Sequence, residues 1–126
     1  MTVSATSTTE QTLAAIERFN TAFNSHDVDA IMACMTDDCV FEDTSPPDGG
    51  RRVGQAAVRE AWEGLFKGSP SAYFVAEETV AVDDRCVVCW RYEWKNADGT
   101  TGHIRGIDLF RVRDGKVAEK LAYVKG

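Results

Sequence analysis

The sequence predicts an α+β domain, with helices first and an antiparallel sheet after them. Three observations predict it. Apolar residues recur at helical spacing as far as Phe66. From Ser71 onward the pattern becomes alternation broken by short turns. The length, 126 residues, is that of one domain able to bury a core without staples. Helices that precede such a sheet should cover one of its faces.

Residues 1–7 read as a frayed tail. Ser7-Thr8-Thr9-Glu10 fits a capping box. The helix it starts carries Leu13, Ile16, Phe19 and Phe23 on one side and runs to about Ser25. Asp27 can cap a short second helix whose stripe is Val28, Ile31, Met32 and Met35. Thr36-Asp37-Asp38 should break it, and Cys39–Asp43 reads as a short strand. Residues 44–51, TSPPDGGR, read as a loop. A third helix follows Gly54, with Val58, Ala61, Trp62, Leu65 and Phe66 on one side, and ends at Gly68-Ser69-Pro70.

Four strands remain: Tyr73–Val82, Arg85–Lys95, Gly102–Arg113 and Lys116–Lys125. Asp83-Asp84, residues 96–100 and Asp114-Gly115 separate them, so an antiparallel meander is expected. Alternation then identifies the covered face. In Arg85–Lys95 the even positions are Cys86, Val88, Trp90, Tyr92 and Trp94. In Gly102–Arg113 they include Ile104, Gly106, Asp108, Phe110 and Val112. The even face is apolar in both strands, with Asp108 as the exception.

A carboxylate on an apolar face is costly unless it is paired or protonated. Burial should raise its pKa. Asp108 is therefore either a hydrogen-bonded structural residue or a pocket carboxyl. Asp43 is the second such acid. It shares a face with Phe41 and Cys39 and stands where the strand meets the 44–51 loop. It is a pocket-rim carboxylate or the centre of an Asx turn. His103, Arg105, Arg111 and Arg113 fall on the odd face with Ile107 and Leu109. With the helices committed to the even face, a second subunit is the natural cover of this outer face, and a homodimer is expected.

Composition excludes several classes. The net charge of −6 argues against a general nucleic-acid binder, which needs basic surface. Residues 1–50 hold nine acids and one base, Arg18, whereas the remainder holds eleven acids and thirteen bases. The acidic excess thus lies in the helical half, where solvation accommodates it. No apolar run reaches membrane-spanning length, and MTVSATSTTEQ lacks the regions of a signal peptide. A cytoplasmic protein is expected. Cys86-Val-Val-Cys89 lies in a strand, where residues three apart face opposite ways. That spacing suits neither a zinc knuckle nor a redox helix start, so no metal is expected and the cysteines read as reduced thiols.

Three segments carry a family resemblance: ERFNTAFNSHDVDAIMACMTDDCVFEDTSP, GRRVGQAAVREAWEGLF and RGIDLFRVRDGKVAEKLAYV. Together they resemble the NTF2-like superfamily over about residues 10–124, nearest its SnoaL-like polyketide cyclases and ketosteroid isomerases. The resemblance implies a cone: three N-terminal helices packed on a curved antiparallel sheet that encloses a pocket, usually as a dimer. It places the isomerase general base at Asp43 and the protonated acid that donates to the enolate at Asp108. The family's oxyanion tyrosine falls at Phe19 and its supporting tyrosine at Trp62, so both hydroxyls are absent. The loss of one such donor typically costs roughly 10²–10³ in rate, which counts against true steroid-isomerase activity. The cyclase branch also uses an acid in the strand of Asp108 and tolerates a more apolar pocket. An epoxide-hydrolase arrangement, with an arginine between two carboxylates, fits less well because alternation turns Arg91 and Arg105 away.

Two functions follow as expectations. The first is an enzyme without a cofactor that transfers a proton next to the carbonyl of a small apolar compound, by isomerisation or aldol-type cyclisation. Asp43 and Asp108 would be its acid–base pair. Phe19, Phe23, Met35, Phe41, Trp62, Trp90 and Phe110 would wall the pocket. The second is a non-catalytic small-ligand-binding or dimerisation module on the same fold.

Overall fold

The computed structural model of the protein describes residues 7–125. Helix α1 (Thr8–Asn24) begins with the expected capping box: Ser7 Oγ accepts from the Glu10 N–H at 3.1 Å, and Glu10 Oε1 accepts from the Ser7 N–H at 3.3 Å. Ser7 is thus a helix cap and not part of a tail, and residues 1–6 lie outside the described residues. Helix α2 (Val28–Ala33) is capped by Asp27, whose side chain accepts from the Ala30 N–H at 3.1 Å.

Strand β1 (Met35–Glu42) starts four residues before the expected position. Met35 therefore belongs to the strand and not to the helical stripe, and Thr36-Asp37-Asp38 continue the strand rather than form a turn. Tertiary partners account for the difference. Met35 pairs with Val117, and the Val117 N–H donates to the Cys34 carbonyl at 2.8 Å. The Gln55 amide donates to the carbonyls of Met32, Met35 and Thr36. Local pattern carries no trace of these long-range bonds. Strand β2 (Arg51–Val53) was also hidden in sequence; it pairs with Val40–Glu42 across the intervening loop.

Helix α3 (Gln55–Gly68) and strands β3 (Tyr73–Val82), β4 (Arg85–Lys95), β5 (Thr101–Arg113) and β6 (Lys116–Val124) lie within one residue of their predicted bounds. The six strands form one curved, unclosed sheet in the order β2-β1-β6-β5-β4-β3. The β3–β6 meander is antiparallel, and so is β1–β2; β1 joins β6 in parallel. This is the expected α+β cone. Its core is built from α1, α2 and α3 against the even face of β4 and β5, with Phe19, Ile31, Val58, Trp62 and Phe110 wholly buried.

The β4–β5 register sets Trp90 opposite Gly106 and Val88 opposite Asp108. A Cβ at residue 106 would lie 2.6 Å from the Trp90 ring and 2.2 Å from the Tyr123 carbonyl oxygen. Only glycine lets the indole lie against β5 at that level. The next register places Lys120 opposite Phe110 and Ala122 opposite Asp108, so Lys120 shares the inner face. The odd face points outward as expected: Arg105 pairs with Glu77 there, and Arg91 with Glu93.

Candidate active site

Asp108 is only 5% exposed, on the inner face of β5. Lys120 on β6 is equally buried, and its Nζ stands 3.3 Å from Asp108 Oδ1. The contact is an ion pair without hydrogen-bond geometry, so Oδ1 makes no hydrogen bond with any described residue. Burial pushes the Asp108 carboxyl above its ordinary value, and the neighbouring Lys120 charge only partly offsets this. Three rings surround the ammonium: Phe41, Trp62 and Phe23, with centroids at 4.9, 5.4 and 5.7 Å. Their faces supply attraction that partly replaces lost water. The Trp90 indole also faces Asp108 and adds to the offset by Lys120, although its Nε1 falls short of hydrogen-bond geometry, and the Trp62 Nε1 nearby is unpartnered among the described residues.

Two cavities meet at this pair. The larger, about 480 Å³, is bounded by α3, β1, the start of the 44–50 loop and the β4–β6 meander. Phe23, Phe41, Trp62 and Trp90 line it, with Asp108 and Lys120 on its floor and Asp43, Arg52 and Glu60 nearer its mouth. This volume suits a small organic molecule. The smaller, about 200 Å³, runs toward α1 and β3; Phe19, Asn20 and Asn24 line it, and it too reaches Asp108 and Lys120.

Asp43 does line the larger cavity with Asp108, yet its oxygens are occupied. Oδ1 accepts from the N–H and hydroxyl of Ser45 and from the Gly50 N–H at 2.7 Å, while Oδ2 accepts from Arg52 at 2.9 Å. Burial alone would raise its pKa, but the hydrogen bonds from Ser45, Gly50 and Arg52 outweigh it and hold the carboxyl well below the usual carboxylate range. A carboxylate so satisfied is a weak base. The geometry makes Asp43 the centre of an Asx turn that closes the loop between β1 and β2. A Cβ at residue 50 would come within 2.9 Å of Asp43 Oδ2, so glycine is what lets the loop wrap so closely.

The aromatic expectations divide. Phe19, Phe23, Phe41, Trp62 and Trp90 do line one cavity or the other. Met35 and Phe110 line neither; both are sealed in the core, Phe110 against the Phe19 ring at 5.6 Å. Phe110 sits one inward position deeper than Asp108, where the helices already fill the space. Cys86 faces inward, and burial pushes its thiol up to about 11, while Cys89 is half-buried on the other face. His103 is exposed on β5 opposite Glu93, away from both cavities.

Lys120 is the site residue that sequence reasoning missed. The signal was present. Alternation in β6 sets Ala118, Lys120 and Ala122 on one face, and two small neighbours around a lysine leave room for it inside. The same alternation that exposed Asp108 in β5 would have found it.

Comparisons with known proteins give a consistent frame. The SnoaL-like domain profile matches residues 16–120. An NTF2-like protein of unknown function from Mesorhizobium loti is 38% identical, with a TM-score of 0.80 over 100% of both chains. A candidate SnoaL-like polyketide cyclase from Jannaschia is 18% identical, with a TM-score of 0.82 over 98% of this chain and 92% of that one. A candidate ketosteroid isomerase from Kribbella flavida is 19% identical, with a TM-score of 0.77 over 97% of this chain and 83% of that one. The last two share the fold. Among the described residues, no helix is long and apolar enough to cross a membrane.

Proposed function

This chain belongs to the SnoaL-like domain family, and from that premise we propose that it binds a small, largely apolar carbonyl compound in the larger cavity and moves a proton on it. The observation that carries the proposal is the buried Asp108–Lys120 pair on the floor of an aromatic-walled cavity of about 480 Å³. A carboxyl whose pKa is raised by burial is a stronger proton acceptor than a free carboxylate. Asp108 then removes a proton from the carbon next to the carbonyl. The Lys120 ammonium stands beside it to stabilise the oxyanion as charge develops. Return of the proton to a different carbon gives isomerisation, and attack of the enolate on a second carbonyl gives aldol-type cyclisation. Asp43 supports the cavity mouth and takes no proton.

The test is exchange of α-protons on small cyclic ketones and polyketide-type esters in deuterated water, followed by NMR. Exchange above background is expected, with a loss of roughly 10²–10⁴ in Asp108→Asn. Background exchange with a ligand that demonstrably binds supports the second reading, a non-catalytic ligand-binding module. The absence of tyrosine hydroxyls at Phe19 and Trp62 favours that reading.

We also infer a homodimer through the outer sheet face. Val75, Val80 and Tyr123 are exposed there, with Ile107, Leu109 and Leu121 half-buried among them. Sedimentation of the wild type against Tyr123→Glu tests it: a dimer that the charge converts to monomer is expected, and a monomeric wild type overturns it.

A further inference from the structure

We propose that the larger cavity holds its ligand as an anion, a flat conjugated weak acid whose charged oxygen rests against Lys120. This deepens the proposed function by naming the ligand's charge; it shares with it the cavity as a ligand site and needs no turnover.

The hydrogen-bond inventory of the cavity carries the inference. An ammonium has three donors and each indole has one, and none of the three groups has an acceptor to spare. Trp62 Nε1 is buried without a partner among the described residues, and Trp90 Nε1 faces only the Asp108 carboxyl, short of hydrogen-bond geometry. Both residues line the cavity that Lys120 reaches. Asp108 is the acceptor on its floor, and even it meets Lys120 without hydrogen-bond geometry. Unpaired buried donors are costly, so the ligand that fits is the one that brings oxygen acceptors. An amine bound as its ammonium brings no acceptor and leaves the indoles unpaired. The faces of Phe23, Phe41 and Trp62 around Lys120 match a flat conjugated ring.

Charge adds a consequence. With Asp108 ionised, the pair is neutral, and an anion placed beside it meets a like charge. With Asp108 protonated, Lys120 presents an uncompensated positive charge, and an anion completes the pair. Burial already favours the neutral carboxyl. Anion binding therefore takes up one proton, on Asp108. The other charged groups on the cavity wall are Glu60 from α3 and the mutually paired Asp43 and Arg52 of the β1–β2 hairpin, and Tyr92 is the phenol from β4. The α1 residues lining both cavities are uncharged.

The experiment is calorimetry with three probes of one shape: naphthoate, naphthamide and naphthylmethylammonium. At about pH 6, naphthoate is expected to bind at least about tenfold more tightly than naphthamide, with the ammonium compound weakest. Its Kd is expected to rise by up to about tenfold per pH unit once Asp108 ionises, while that of naphthamide stays flat. Asp108→Asn should remove the pH dependence and keep naphthoate binding tight in alkali. Lys120→Met should bring naphthoate to the affinity of naphthamide, and Lys120→Arg should retain the preference. The Asn and Arg variants decide the matter independently of how well Lys120→Met folds. Equal affinity for naphthoate and naphthamide, a naphthoate Kd in wild type that does not vary with pH, or no binding of any probe overturns the proposal. Naphthoate preference without ketone exchange sinks the catalytic reading alone, and exchange without that preference sinks this one alone.

Discussion

Lys120 Nζ stands 3.3 Å from Asp108 Oδ1, and each side chain is only 7% exposed. Removal of one partner from a buried ion pair leaves a charge with no counterpart. Lys120→Met is therefore expected to destabilise the fold by about 3–5 kcal/mol where Asp108 is ionised. The sign of the pH dependence follows from the carboxyl. Its folded pKa is raised above the ordinary 3.8, so the folded state binds the proton more tightly than the unfolded state. Stability then falls as pH rises through the folded value. Without Lys120 to offset burial, that fall extends over a wider pH range and becomes larger. Urea unfolding at about pH 5 and pH 8 checks it; an equal loss at both pH values would sink the idea.

Asp43 predicts the opposite slope. Its folded pKa lies below the ordinary 3.8, so its contribution is present above that value and is lost as pH falls through the folded one. Asp43→Asn keeps an acceptor for Ser45 and Gly50 but loses the ion pair with Arg52. A cost of about 1–3 kcal/mol is expected at neutral pH, from the weakened charge-assisted bonds. The cost should shrink below about pH 4. Because the site chemistry is assigned to Asp108, ketone exchange by this variant should stay within about threefold of wild type at temperatures where it is folded. A loss as large as that of Asp108→Asn would restore Asp43 as the base.

These two acids show how much the sequence disclosed. Both stood out because alternation put them where a charge is costly, and both do line one cavity. Alternation gives a face, however, and not a partner. Nothing local says that Ser45, Gly50 and Arg52 converge on Asp43 while Asp108 meets Lys120 and the Trp90 indole. The meander strands were legible because their turns and their two-residue period are local. Strand β2 and the first half of β1 were not, because Arg51–Val53 and Met35–Asp38 become strands through pairing with distant residues. The depth of the cavity was equally hidden: Phe110 and Trp90 share a face, but only the packing of Phe19 decides that one is core and the other wall.

Gly106 sets the position of Trp90. Gly106→Val should force the indole away from β5, since even a Cβ would lie 2.6 Å from its ring. Overpacking of this kind costs about 1–3 kcal/mol. The displaced indole should also close the cavity, so ligand affinity should fall by more than tenfold in a variant that still folds. A thermal melt paired with a naphthoate titration separates the two effects. Unchanged affinity would show that Trp90 does not shape the ligand site.

Trp62 offers the cleanest separation of packing from function. Its ring packs on Phe41 at 4.3 Å and on Phe23 at 5.1 Å, and its Nε1 is buried without a partner among the described residues. Trp62→Phe removes that donor and part of the ring. The lost apolar contact destabilises, while the removal of an unpaired donor stabilises by about 1–3 kcal/mol, so the two should nearly cancel. Stability within about 1 kcal/mol of wild type is therefore expected. If the indole donates to bound ligand, naphthoate affinity should nevertheless fall about three- to tenfold, the worth of one ordinary hydrogen bond. Denaturant midpoints and calorimetric Kd values on the same samples test both halves. A large loss of stability with unchanged affinity would make Trp62 a core residue and nothing more.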